Sequence, residues 1–164
     1  MNNKPVTKEK ALARLAALCS RSEQCEDDLI KKLISWKLDK TTRNEIIEYL
    51  KDNKFLDNER YTRSYVNDKA KFSFWGPSKI RAELIRKRIP SSLINSALET
   101  IDSEIWKTGL IKNAISKSKN IDLLGEEAYK ERQKLMRYLI GRGFSATSAS
   151  KAVSIMKKRQ EENE

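Results

Sequence analysis

KIRAELIRKRI (79–89) places Ile80, Leu84 and Ile89 four and then five residues apart, and the same rhythm occurs twice more in the chain. DLIKKLISWKL (28–38) gives Leu29, Leu33 and Leu38, and KLMRYLIGRGF (134–144) gives Leu135, Leu139 and Phe144. The agreement continues 8, 9 and 12 residues downstream of each last apolar residue, at Ile46, Ile47 and Leu50, at Ala97, Leu98 and Ile101, and at Ala152, Val153 and Met156. A step of four lies on one face of an α-helix. The central leucines, Leu33, Leu84 and Leu139, recur 51 and 55 residues apart, a period that holds three helices joined by short turns.

Each unit is therefore expected to have a leading helix (near 8–20, 57–73 and 104–119), a middle helix with the four-five rhythm, and a trailing helix. Strand-like alternation is missing and only five Gly and three Pro interrupt the chain. The expected fold class is all-α: three tandem three-helix repeats, at 1–56, 57–103 and 104–164, packed in an elongated, curved array. A unit of this size buries too little surface to be robust alone, so neighbours are expected to pack on one another. Thr42-x-x-Glu45 has capping-box form, Asp57 suits an N-cap, Pro77 a first turn, and Gly141 and Gly143 a helix exit. Residues 119–128 read as a lengthened turn, and 1–7 and 160–164 as frayed ends.

Composition narrows the function. No apolar run reaches the roughly 20 residues of a membrane span, and ALARLAALC (11–19) is broken by Arg14, so no membrane association is expected. Cys19 and Cys25 read as buried, reduced thiols of a cytoplasmic protein. With no histidine, the commonest general base and metal ligand is absent and no metal site of the usual type is expected. The five glycines form no phosphate-binding loop, and the carboxylates at 26–28 and 126–127 sit where helices begin, as the helix dipole favours. No catalytic residue and no cofactor is expected, and the chain is read as a non-enzyme.

The net charge of +11 points to nucleic acid, a nucleoprotein or an acidic protein. The excess is spread along the chain, with its densest window at 60–88, where nine Lys/Arg stand against two Asp/Glu. In NERYTRSYVNDKAKF (58–72), Tyr61, Tyr65, Val66, Ala70 and Phe72 share the packing side, while Arg60, Arg63, Asn67 and Lys71 form a basic face. Beyond it, Lys79/Arg86 and Arg81/Arg88 form two basic rows flanking the stripe of Ile80 and Leu84. Trp75-Gly76-Pro77 reads as a corner between the two helices. Gly76 would leave the first helix in a conformation closed to residues with a Cβ, Pro77 would set the first turn of the second, and Trp75 would plug the corner or stack on a base. The candidate binding residues are Arg60, Arg63, Lys71, Lys79, Arg81, Arg86, Lys87 and Arg88.

The stretch FLDNERYTRSYVNDKAKFSFWGPSKIRAELIRKRI (55–89) resembles the signature region of the RecX family, regulators of the RecA recombinase, through Leu56, Asp57, Asn58, Arg60, Tyr61, Gly76, Lys79, Ile80, Glu83 and Leu84. SRSEQCEDDLIKKL (20–33) is similar to a second family motif, and the likeness extends more weakly into the last unit. Two departures fall at helix ends: Lys54 and Arg88 stand where the family often has glycine. The resemblance implies three three-helix repeats and binding in the groove of a RecA filament on single-stranded DNA, limiting strand exchange and ATP hydrolysis; the chain is expected to be a monomer. DNA would be met directly or through the filament. A plain nucleic-acid-binding helical module and a scaffold for an acidic protein are the rival expectations.

Overall fold

The step of five in each of the three stretches marks a helix end of one kind. In the computed structural model, which describes residues 5–163, the residue before the third apolar position has a positive φ: Lys37 at 62°, Arg88 at 57° and Gly143 at 100°. The next amide turns back on the helix, Leu38 N–H donating to Leu33 O at 3.2 Å, Ile89 to Leu84 at 3.1 Å and Phe144 to Leu139 at 3.3 Å. The amides of Lys37, Arg88 and Gly143 each donate at 2.9 Å to the carbonyls of Ile34, Ile85 and Ile140. This is the Schellman closure, in which an apolar residue just past the helix folds onto the last turn.

The described residues form helices and no strand. The first unit holds α1 (Lys8–Arg21), α2 (Glu26–Ser35) and α3 (Lys40–Asp52); the second α4 (Asn58–Lys71), α5 (Pro77–Arg86) and α6 (Ser91–Glu99); the third α7 (Ser103–Ser118), α8 (Ala128–Gly141) and α9 (Ala146–Glu161). The fold is all-helical, built of three-helix repeats. Leu33, Leu84 and Leu139 are fully buried, each in a different apolar cluster. Three small cores in place of one leave an accessible surface of 10450 Å², about a quarter above the roughly 8400 Å² of a compact monomer of this mass.

Several expected caps are found. Asp57 accepts from the Arg60 amide at 3.0 Å, and Pro77 opens α5. Residues 119–127 join α7 to α8 as a long turn. The capping box at Thr42 is not: α3 starts three residues earlier, with Asp39 as N-cap accepting from the Thr42 amide at 2.9 Å and the Thr42 hydroxyl at 2.7 Å, while Glu45 reaches Lys8. The two Asp39 carboxylate oxygens accept one bond each. Of the expected frayed ends, residues 5–7 precede α1, but α9 continues to Glu161; residues 1–4 and 164 lie outside the described residues. No described helix is long and apolar enough to cross a membrane.

The middle helices follow one another head to tail through two joints of different chemistry. At the first, the C-terminus of α5 meets the acidic N-terminus of α2. Lys87 reaches Asp28 at 2.6 Å and Arg88 reaches Asp27 at 3.5 Å. Asn58 exchanges two hydrogen bonds with Glu26, and the buried Cys25 enters the core of the second unit beside Tyr61. At the second, the C-terminus of α8 meets the N-terminus of α5 backbone to backbone. Gly76 N–H donates to Arg142 O at 2.7 Å, and Ser78 N–H to Gly143 O at 3.0 Å. Carbonyls and amides left over at the two helix ends thus satisfy each other.

Gly76 has φ −80° and ψ 165°, an ordinary extended conformation, so the expectation that it needs glycine's torsional freedom is overturned. It needs glycine's size. A Cβ there would stand 2.4 Å from the carbonyl carbon and oxygen of Gly143, and a Cβ on Gly143 would stand 2.6 Å from Gly76 O. The residue that leaves α4 with a positive φ is Phe74, at 53°.

Candidate partner-binding surface

Around this corner, the sequence positions charge against aromatic faces. Trp75 is half-buried against the second core, with the Lys69 ammonium 4.8 Å and the Lys79 ammonium 4.3 Å from its ring centre. Across the joint, Lys112 of α7 lies 4.5 Å from the ring centre of Phe74. A cleft of about 240 Å³ opens between the end of α4 and α7, lined by Lys71, Phe74, Thr108 and Lys112 among others. Cation–π contact holds each lysine stem along a ring while its charge stays solvated.

Phe72 was expected on the packing side of α4 and is instead 74% exposed. The helix ends at Lys71, and at 100° per residue Phe72 falls about 120° from Val66 and about 160° from Ala70, so the helix itself turns it away from the core those two residues enter. Polar groups hold the turn from within: Asn113, buried, donates to Phe74 O at 2.7 Å, and Arg142 donates to Asn113 Oδ1 at 2.9 Å and to Ser73 O at 2.6 Å.

The eight basic residues singled out by sequence are not one surface. Arg60 lies at the first joint, hydrogen-bonded to Glu23 and to the Lys54 and Phe55 carbonyls, and the Glu23 carboxylate raises its pKa. Lys87 and Arg88 lie there too. Burial acts to raise the Asp28 pKa, but the hydrogen bonds from Lys87 and Cys25 outweigh it and hold the carboxyl below its usual range. Burial likewise opposes the Lys87 charge, and Asp28 more than restores it. Because α5 stops at Arg86, Arg88 is off the helix and the Arg81/Arg88 row does not form. Arg63 pairs with Glu59 at 2.8 Å, Arg86 with Glu83 at 2.7 Å, and Arg81 donates to Asn95 at 2.6 Å. Lys71 and Lys79, with Lys69 and Lys112 that the sequence reading missed, form no ion pair among the described residues.

A second feature was missed. Ile34, Ile85 and Ile140 occupy the same register in the three units, one residue past each central leucine, and are 53%, 54% and 42% exposed. Their repetition is visible in the sequence, but an isoleucine beside a core leucine reads as part of the buried stripe. Cys19 and Cys25 are free thiols; burial raises both pKa values, so they are protonated, and Cys19 is only half-buried. Among the described residues no cluster of three potential metal ligands exists.

A tandem array of three-helix units, with cationic and apolar residues on its exterior, defines a helical-repeat protein. The family model for "RecX, second three-helix domain" matches residues 57–98, and that for "RecX, third three-helix domain" matches 119–153. The chain is 30% identical over 155 residues to the regulatory protein RecX of Yersinia enterocolitica, covering 81% of this chain and 89% of that protein. It is 32% identical over 124 residues to the regulatory protein RecX of Clostridium tetani, covering 76% of this chain and 56% of that one. It thus spans little more than half the length of its clostridial relatives. A crystal structure of regulatory protein RecX aligns with a TM-score of 0.76 at 26% identity, over 93% of this chain and 71% of that one. The structure of RecX from Lactobacillus salivarius, at 20% identity and a TM-score of 0.75 over 90% and 94%, shares the fold. The chain belongs to the RecX family of regulatory proteins.

Proposed function

We propose that this chain is a non-enzymatic regulator that binds, as a cytoplasmic monomer, the RecA recombinase filament on single-stranded DNA and restrains strand exchange and the coupled ATP hydrolysis. Family membership supports the partner. The observation that carries the mode is the equivalent exposed isoleucine in each unit: three like residues on three like units suit a partner whose own surface repeats. In this reading 1–56, 57–103 and 104–164 act as successive contact units. Arg63, Lys71, Lys79, Arg81 and Arg86 supply accessible charge, while Arg60, Lys87 and Arg88 act through the geometry of the first joint.

The test is ATP hydrolysis by the cognate RecA on single-stranded DNA, with this protein titrated well below one per protomer. Loss of hydrolysis beyond simple competition for DNA is expected; no change overturns the reading. The lysine–aromatic corner favours one rival, a nucleic-acid module that needs no recombinase. Equal affinity for bare and recombinase-coated strands would establish that rival.

A further inference from the structure

We infer that Phe72 is a base-stacking residue and that Lys69, Lys71, Lys79 and Lys112 hold the phosphates of one single strand of nucleic acid at the second joint. A phenylalanine normally contributes by leaving water, and this one stays 74% exposed although the residues on both sides of the turn are anchored. Lys71 precedes it, and Lys69 lies three residues back on α4, the spacing of neighbours on a helix surface. Lys79 and Lys112 are brought to the same corner by α5 and α7, each laid against the ring of Trp75 or Phe74. Glu104 also lines the cleft, but it pairs with Lys107 at 2.6 Å.

Lysines that form no ion pair among the described residues, carried by three helices that meet at the turn bearing an exposed ring, match a ligand that alternates phosphate with a flat apolar face, with Asp68 one helical turn before Phe72 as an acidic group on the same helix. A single strand offers that alternation with its bases open, whereas a duplex keeps them stacked on one another. Trp75 is not the platform, because the second core and two lysine side chains already cover it. Phe72, 74% exposed, is not covered in that way.

The inference rests on the preceding reading in taking a single strand as partner, and its test contains no recombinase, so the two fail separately. Fluorescence anisotropy of a labelled oligothymidylate with the full chain is expected to weaken about ten-fold for Phe72→Ala. Phe72→Trp should retain affinity, and the emission it adds should be quenched at saturation. Lys71→Ala and Lys112→Ala should each flatten the slope of log affinity against log salt by about 0.7. Wild-type affinity in Phe72→Ala, or unquenched emission from Phe72→Trp, overturns the inference. So does equal, Phe72-dependent binding of a duplex, which would make the corner a wedge rather than a single-strand platform.

Discussion

The two joints connect similar units by opposite means. The first is made of side chains: Lys87 on Asp28, Arg88 on Asp27 and Arg60 on Glu23 join groups that, apart from the buried Asp27, remain partly in water. The second is made of backbone, with Gly76 and Gly143 in mutual contact and Arg142 and Asn113 bridging to the turn at 73–74. Long side chains tolerate a change of angle by re-forming their pairs, whereas two apposed peptide units do not. The array therefore has a rigid joint between its last two units and an electrostatic one before them.

The comparison breaks most severely at the glycines. Gly76→Ala is expected to cost about 3 kcal/mol, since the intruding Cβ meets backbone that cannot rotate away. Urea unfolding followed by hydrogen exchange should place the loss in the second and third units, with the first spared. Asn113→Ala should cost about 2 kcal/mol in the same measurement, because it leaves Phe74 O and the Arg142 guanidinium without their buried partner.

The first joint should respond to pH and salt instead. Asp28 has its pKa lowered from 3.8, so its contribution is present above the ordinary carboxylate range and is lost as pH falls through the folded value. Lys87 has its pKa raised from 10.5, so its contribution is complete below that value and is lost only as pH rises through the folded one. Acid well below the ordinary carboxylate range, or salt near 1 M, is expected to widen the placement of the first unit in small-angle scattering. Lys87→Ala should do the same at neutral pH for about 1 kcal/mol of stability, as both partners are only partly buried.

The smallest effect should be a gain. Lys37→Gly and Arg88→Gly relieve left-handed backbone at two otherwise equivalent helix ends and should each stabilise by about 0.5–1 kcal/mol in thermal unfolding. Arg88→Gly should gain less than Lys37→Gly, by the value of its pair with Asp27, which sharpens the estimate of what that pair contributes.

What was legible in the sequence was whatever repeats or acts locally. The four-five rhythm reported three helix ends because a Schellman closure places its apolar residue five positions past the partner, whichever residue takes the positive φ. The candidate surface was legible only as charge density. Lys87 and Arg88 have partners in another unit, and nothing near them in the chain shows that Asp28 and Asp27 face them. Phe72 was misread because it was grouped with Val66 and Ala70, from which a progression of 100° per residue separates it by more than a right angle. Gly76 was correctly marked as a corner and given the wrong reason, since its neighbour Gly143 is distant in sequence.

That glycine pair also restricts how the chain can change over generations. Neither position can gain a side chain first, because the other is already in its way, and enlarging the second does nothing to make room for the first. Single steps at both sites are closed, and so is the double step. Two residues in different units thus behave as one heritable character, and drift that reshapes the charges of the first joint leaves the second where it was.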